Sequence, residues 1–335
     1  MDIPKNLLQD IFSASAESFT ATALNVFRFQ YEHNDTYNRF CNIIRKHPEQ
    51  VNSVEQIPFL PIQFFKSKQI KTGSFDEALC FESSGTTGSV NSRHFVKEAS
   101  VYEESFLKGF EMQYGNINEW CIIGLLPSYL ERGNSSLVYM VDKLVKLSEH
   151  AGSGFYLYEH DKLKVQLQAN EKAGVKTLLI GVTYALLDFA EANPMQLHYT
   201  TVMETGGMKG RREELSRGQV HEILCRQFGL QQIHSEYGMT ELLSQAYSKG
   251  KGIFTCPPWM KVLVRNEDDP FEIRSAPDNG KPFAGGAINI IDLANIYSCS
   301  FIATDDAGKI YADGSFEITG RLDNSDIRGC GLMII

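Results

Sequence analysis

The sequence predicts an α/β protein, with mostly parallel sheets flanked by helices and a smaller C-terminal antiparallel β-subdomain. Three observations lead there. Between Trp120 and Gly229, short apolar runs alternate with stretches of helical period. After about Lys249 this alternation gives way to short strands separated by Gly, Asn and Asp turns. A chain of 335 residues with 43% hydrophobic and 22% charged residues can also bury a large core. The first region is expected over residues 1–248, with its N-terminal helices, and the β-rich region over residues 249–335.

The elements follow in order. Residues from about Ile11 to Lys46 read as helices, with Phe12, Leu24, Phe27, Tyr31 and Phe40 at apolar positions. In "VNSVEQIPFLPIQFFK", Pro58 and Pro61 make an extended connector. "WCIIGLLP" reads as a buried strand. "NSSLVYMVDKLVKLSEH" reads as a helix capped by Asn134, with Leu137, Val141, Leu144 and Leu147 on one face. "GFYLY" is a strand, "DKLKVQLQANEKAG" a helix closed by Gly174, and "VKTLLIG" a strand. "TYALLDFAEAN" is a helix opened by Thr183, "LHYTTVMETGG" a strand, and "REELSRGQVHEILCRQFG" a helix. Such alternation means a parallel sheet covered on both faces. "MKVLVRN", "GGAINIIDLA", "SCSFIATDD", "KIYADG" and "SFEITG" supply the later strands.

The net charge of −9 argues against a general nucleic-acid binder. Seven scattered cysteines, Cys41, Cys80, Cys121, Cys225, Cys256, Cys299 and Cys330, form no CxxC pair, so neither a zinc site nor a disulfide framework is expected. All but Cys330 read as core residues. The N-terminus has no basic start followed by an apolar run, and "TLLIGVTYALL" is too short to span a bilayer. A cytoplasmic protein is the expectation.

The chemistry concentrates in a few loops. "FESSGTTGSVNSRHF" offers Ser83, Ser84, Gly85, Thr86, Thr87 and Gly88. Its glycines permit close backbone approach, its hydroxyls donate, and successive N–H groups make an anion-binding nest. Arg93 and His94 would add positive charge. The loop is not a Walker A motif, because the Gly-Lys-Ser/Thr ending is missing. The plain alternative is a surface loop. "ETGGMKGRR", "SEYGMTELL" and "ATDDAGKIYADGSFEITGRLDNSD" follow in order. Taken singly, these are a basic turn, a helix start capped by Thr240 and a hairpin at "TDDAGK"; four such coincidences in this order are much rarer than one. His234 fits an ordinary hydrogen-bonded strand histidine better than a pocket residue.

The order and spacing of these segments resemble the adenylate-forming superfamily, and within it the acyl-protein synthetase (LuxE) branch. "LPSYLERGNSS", "ETGGMKGRR", "YGMTEL" and "GRLDNSDIRGCGL" carry the likeness, from about Leu79 onward. The resemblance implies an N-terminal adenylate-forming domain that binds ATP, Mg2+ and a carboxylic acid over residues 1–248, with residues 249–335 ending at the hinge motif. On this resemblance the mobile C-terminal domain of that superfamily, which brings a lysine to the reacting carboxylate, is expected to be missing, since the LuxE branch is short. The loop at residues 83–88 would grip the β- and γ-phosphates. Thr205, Gly206, Gly207 and Met208 would line the adenine. In the segment Tyr237, Gly238, Met239, Thr240 and Glu241, the tyrosine would stack on the base, the threonine hydroxyl would bond the α-phosphate, and Glu241 would hold Mg2+. Asp306, or alternatively Asp305, would hold the ribose; Arg321 would contact ribose and phosphate; Asp323 matches the hinge.

Two departures mark this chain. The position that often carries a histidine beside the substrate carboxylate is Leu130, with Tyr129 a candidate in its place. The loop continues "SVNSRHF" where the family has Pro-Lys. The implied reaction is attack of a carboxylate, a fatty acid first among the candidates, on the α-phosphate, releasing pyrophosphate. The acyl group would then pass to a protein thiol. Cys330, between glycines and two residues from Arg328, suits such an acyl carrier; the plain alternative is a small buried residue packing a terminal strand. The acceptor beyond it would be a protein or, in the alternative acyl-CoA synthetase reading, coenzyme A. A non-catalytic nucleotide-binding subunit is the alternative of another class.

Overall fold

In a computed structural model, the structure describes residues 6–83, 90–127, 133–206 and 215–322. Three helices open it: α1 (Leu7–Phe12), α2 (Phe19–His33) and α3 (Asp35–Ile43), the last capped by Asn34, whose side chain accepts from the Tyr37 N–H. The connector is extended as expected, apart from one 3₁₀ turn, the strand β1 (Leu60–Pro61) and the single-turn α4 (Phe64–Ser67). A hairpin follows, β2 (Leu79–Glu82) against β3 (Arg93–Val96), and then α5 (Ala99–Tyr114). Neither the hairpin nor α5 was among the expected elements.

The alternating region then runs β4 (Cys121–Leu125), α6 (Ser136–Ser148), β5 (Gly154–Phe155), α7 (His160–Ala173), β6 (Thr177–Gly181), α8 (Thr183–Ala192), β7 (Thr200–Glu204), α9 (Arg217–Phe228), β8 (His234–Tyr237) and β9 (Ala246–Ser248). Its strands order as β5-β4-β6-β7-β8-β9, parallel except for the antiparallel edge strand β9. Strands β4 and β6 are buried at every position, which is why they read as unbroken apolar runs.

Several local expectations are corrected. The cap of α6 is Ser135, which accepts from the Val138 N–H, one residue beyond Asn134. Asn134 instead ties its side chain to Glu82 (3.0 Å). The α6 stripe runs through Val138, Val141 and Leu144, while Leu147 is exposed. Helix α9 starts at Arg217, five residues after the expected start, because Ser216 and Gln219 form a capping box there. Helix α8 does open at Thr183, after Val182 at the cap position. Cys41, Cys121 and Cys299 are core residues, but Cys80, Cys225 and Cys256 are only half-buried.

The second sheet contains β10 (Ile253–Phe254), β11 (Met260–Arg265), β12 (Ile273–Arg274), β13 (Phe283–Asp292), β14 (Phe301–Tyr311) and β15 (Phe316–Arg321), in the order β10-β15-β14-β13-β11-β12. These pairs are all antiparallel, and β1 adds to β14 in parallel. The runs "SCSFIATDD" and "KIYADG" are one continuous strand, and "TDDAGK" lies inside it rather than at a hairpin turn. Gly308 marks close strand approach instead: a Cβ there would stand 2.3 Å from the Glu317 carbonyl oxygen.

The N-terminal helices are held to this sheet by buried polar contacts. The Gln30 amide donates to the carbonyls of Asn295 (2.9 Å) and Ile296 (3.1 Å) and accepts from the Ser300 N–H (2.9 Å). Replacing it would strand several buried backbone groups. Gln30→Leu is therefore expected to cost about 2–4 kcal/mol, read as a lower midpoint in urea denaturation.

Candidate active site

The carboxyl ends of the parallel strands and the middle of the second sheet meet at one place. In open α/β sheets this edge is where ligands bind. Strand β7 ends in Glu204 and leads into Thr205 and Gly206. Strand β8 ends in Tyr237 and leads into Gly238, Met239, Thr240 and Glu241, a turn closed by Leu242 N–H to Met239 O (3.0 Å). No helix starts at Thr240.

That turn is fixed from three directions. His94 Nδ1, from β3, donates to the Thr240 carbonyl (2.8 Å). Asn295 donates to the Glu241 carbonyl (2.8 Å). Buried Asp292, at the end of β13, accepts from the N–H groups of Leu243 (2.8 Å) and Ser244 (3.0 Å) and from the Ser244 hydroxyl (2.6 Å). Burial pushes the Asp292 carboxyl up to about 6 against the pull of those bonds.

Tyr237 crosses between the sheets. Its hydroxyl donates to Asp306 (2.8 Å), and its ring packs on Phe254 and Phe316. Asp306 is the register partner of Arg321, whose guanidinium lies 3.8 Å from it and 3.5 Å from Asp305. Asp305 also accepts from Gln63 (2.5 Å). Arg321 Nε is buried without a hydrogen-bond partner.

The two aspartates sit where β14 carries more residues than β13, since Ala287 pairs with Ala307 but Asn289 with Ala303. Arg265 fills this bulge. Its guanidinium donates to Ile288 O (2.9 Å), Asn289 Oδ1 (2.7 Å) and Thr304 O (2.6 Å). The Thr304 hydroxyl in turn accepts from the Asp306 N–H (3.1 Å).

The structure thus brings together Thr205, Gly206, Tyr237, Gly238, Met239, Thr240, Glu241, Asp306 and Arg321. Ser83 closes the base of the hairpin loop: its N–H donates to Ser92 O (3.0 Å) and its hydroxyl accepts from Ser92 N–H (2.9 Å). Ser84, Gly85, Thr86, Thr87, Gly88, Gly207, Met208 and Cys330 lie outside the described residues, as do Tyr129, Leu130, Asp323 and Arg328. His94 is corrected. It is buried, and burial drives its pKa down to about 4, so it is a neutral strut rather than a positive charge. Arg93 is exposed and lies over the Phe95 ring (5.5 Å). His234 is a strand residue 3.1 Å from the Tyr114 hydroxyl.

Two carboxyls of the site were not singled out from the sequence. Glu204 accepts from the Gly206 N–H (2.7 Å) and faces Arg217 (3.5 Å) and His221 (3.6 Å). Burial raises its pKa, but the His221, Arg217 and Ser235 contacts outweigh that and hold it at about 2. Glu236, on the adjacent strand β8, is raised to about 8, first by burial and then by the Glu204 charge. A carboxyl two residues before a glycine was the available signal: a Cβ on Gly238 would stand 2.4 Å from Glu236 Oε1. A cleft of 340 Å³, lined by Arg265 together with Asn266, Asp268 and Arg274, contains none of the residues expected from the sequence.

Glu241 is wholly buried at this junction. Among the described residues no cluster of three or more metal-ligating side chains forms. A single carboxylate suits Mg2+, which keeps water and phosphate oxygens as its other ligands. Arg321, with an unpartnered buried nitrogen, suits an anion. No helix among the described residues is long and apolar enough to cross a membrane.

A parallel sheet and an antiparallel sheet meeting over a Tyr-Gly-Met-Thr-Glu turn define the N-terminal domain of an adenylate-forming ligase. The luciferase-like enzyme of the mealworm Zophobas morio has this fold, with a TM-score of 0.51 and 18% identity over 77% of this chain; the chain spans 60% of that structure. The profile of the family described as acyl-protein synthetase, LuxE, matches residues 12–335, so the chain belongs to that family of ligases. It is similar to the long-chain-fatty-acid–luciferin-component ligases of Aliivibrio fischeri (24% identity; 91% of this chain, 85% of that protein) and Vibrio harveyi (22%; 91% and 84%).

Two measurements check this electrostatic reading. The folded pKa of Glu204 lies below its unfolded value, so its contribution to stability is present above about pH 4.5 and is lost as pH falls towards 2. Acid titration of stability should show a loss on the order of 3 kcal/mol from this group, missing in Glu204→Gln. Arg265→Met removes three part-buried bonds and should cost about 3 kcal/mol, read as a lower midpoint in urea denaturation.

Proposed function

We propose that the chain activates a carboxylic acid with ATP, releasing pyrophosphate and forming an acyl-adenylate, and then passes the acyl group to a thiol on its way to an acceptor protein. The supporting observation is the convergence of Thr240, Glu241, Tyr237, Asp306 and Arg321 on one junction, tied by His94 to the hairpin that carries the Ser-Ser-Gly-Thr-Thr-Gly loop.

In this reading a carboxylate oxygen attacks the α-phosphorus in line, and the bond to the β-phosphate breaks. The Thr240 hydroxyl donates to the α-phosphate, and Arg321 offsets charge on ribose and phosphate. Asp306 receives a ribose hydroxyl with its orientation set by Tyr237. With Tyr237 packed on two phenylalanines, only a narrow part of its ring is left for the base. Glu241 would hold Mg2+, which supplies charge neutralisation across the phosphates. Attack by the Cys330 thiolate on the acyl carbon would release AMP and leave a thioester.

The relatives' names supply the substrate class to begin with, a long-chain fatty acid, and a protein component as the acceptor class. The test is acid-dependent ATP–pyrophosphate exchange over a panel of carboxylic acids. Glu241→Gln should lower exchange at least ~100-fold. Cys330→Ala should keep exchange but lose acid-stable labelling of the protein by radiolabelled acyl groups. Formation of acyl-CoA in place of labelled protein would favour a coenzyme A ligase. Nucleotide binding with no exchange for any acid would defeat the enzymatic reading.

A further inference from the structure

The face of β8 turned towards α5 holds a polar group that the proposed chemistry does not use. Glu236 pairs across the strands with Tyr247 of β9. Gln245 Nε2 reaches the Tyr102 hydroxyl (3.5 Å), and the Gln245 side chain and the Glu236 carboxyl both border the space in front of Gly238. Tyr247 is 3% and Gln245 6% exposed, yet the Tyr247 hydroxyl and Gln245 Oε1 have no hydrogen-bond partner. A buried polar group left without a partner is destabilising. Two of them beside one carboxyl mark a place built for a partner.

Glu236 also keeps accessible surface, although its surroundings are dry enough to raise its carboxyl to about 8. Its carboxyl fills the space in front of Gly238, at the start of the Tyr237–Glu241 turn: a Cβ on that glycine would stand 2.4 Å from Glu236 Oε1. At neutral pH the three groups are uncharged: a protonated carboxyl that donates, an amide oxygen that accepts, and a phenol that does both.

Building on the reading of the chain as an acid-activating ligase, we propose that Glu236, Gln245 and Tyr247 form a subsite for a neutral hydrogen-bonding group, a hydroxyl or an amide, carried by the acid near its carboxylate. A plain alkyl chain would leave all three groups desolvated and unpaired, whereas a site built to hydrogen-bond a hydroxyl discriminates strongly against the analogue without it.

The experiment compares acids of equal chain length with and without a 3-hydroxyl or 3-amido group, using the full chain. Exchange gives kcat/KM, and calorimetry without nucleotide gives Kd. The wild type should favour the substituted acid at least tenfold in both measurements. Tyr247→Phe and Glu236→Leu should bring that ratio towards one, while Glu236→Gln, which still donates, keeps a preference. Melting temperatures identify unfolded variants, and Tyr247→Phe is the conservative arm. A wild-type ratio near one, or a ratio unmoved in Tyr247→Phe, overturns the subsite and leaves the ligase reading standing. Exchange with no acid at all overturns the ligase reading, and the subsite with it.

Discussion

Everything at the junction depends on the buried carboxylate of Asp292. It ends one strand of the second sheet and gathers the backbone of Leu243 and Ser244, which belongs to the first. A bare carboxylate in that interior would be costly, and the N–H groups it receives would be costly without it. The two requirements are met only when the sheets sit in one relation to each other. Asn295, three residues on, holds the Glu241 carbonyl in the same way. The Tyr-Gly-Met-Thr-Glu turn is therefore shaped by the sheet it does not belong to.

The charge pattern around that turn is arranged by burial more than by composition. His94 is stripped of its charge and serves as a donor. Glu204 keeps its charge because Arg217 and His221 face it. Glu236, one strand over, gives its charge up, partly because Glu204 has not. Neighbouring carboxyls pushed apart in this way give one site both an anion and a neutral donor.

The alternating architecture was legible because strands buried on both faces, such as Cys121–Leu125, must be apolar throughout. Helix α5 is legible too: Tyr102, Phe106, Phe110 and Tyr114 recur every four residues. The break expected near Gly308 failed for a physical reason. Glycine there answers the close approach of Glu317 on the neighbouring strand, which sequence cannot distinguish from a turn. Motif residues such as Thr240 and Asp306 could be named from spacing because their chemistry is carried by side-chain type. His94, Glu204 and Glu236 could not, because their roles are set by partners distant in sequence and by the dryness of their surroundings.

The contacts of Gln30 reach residues 265 to 270 positions further along the chain. On a ribosome the first helices emerge long before their partners exist, and they cannot reach native packing until almost the whole polypeptide has been made. Closing so distant a contact is slow. The docking of the N-terminal helices is thus completed late, only after the strands of the second sheet have been made.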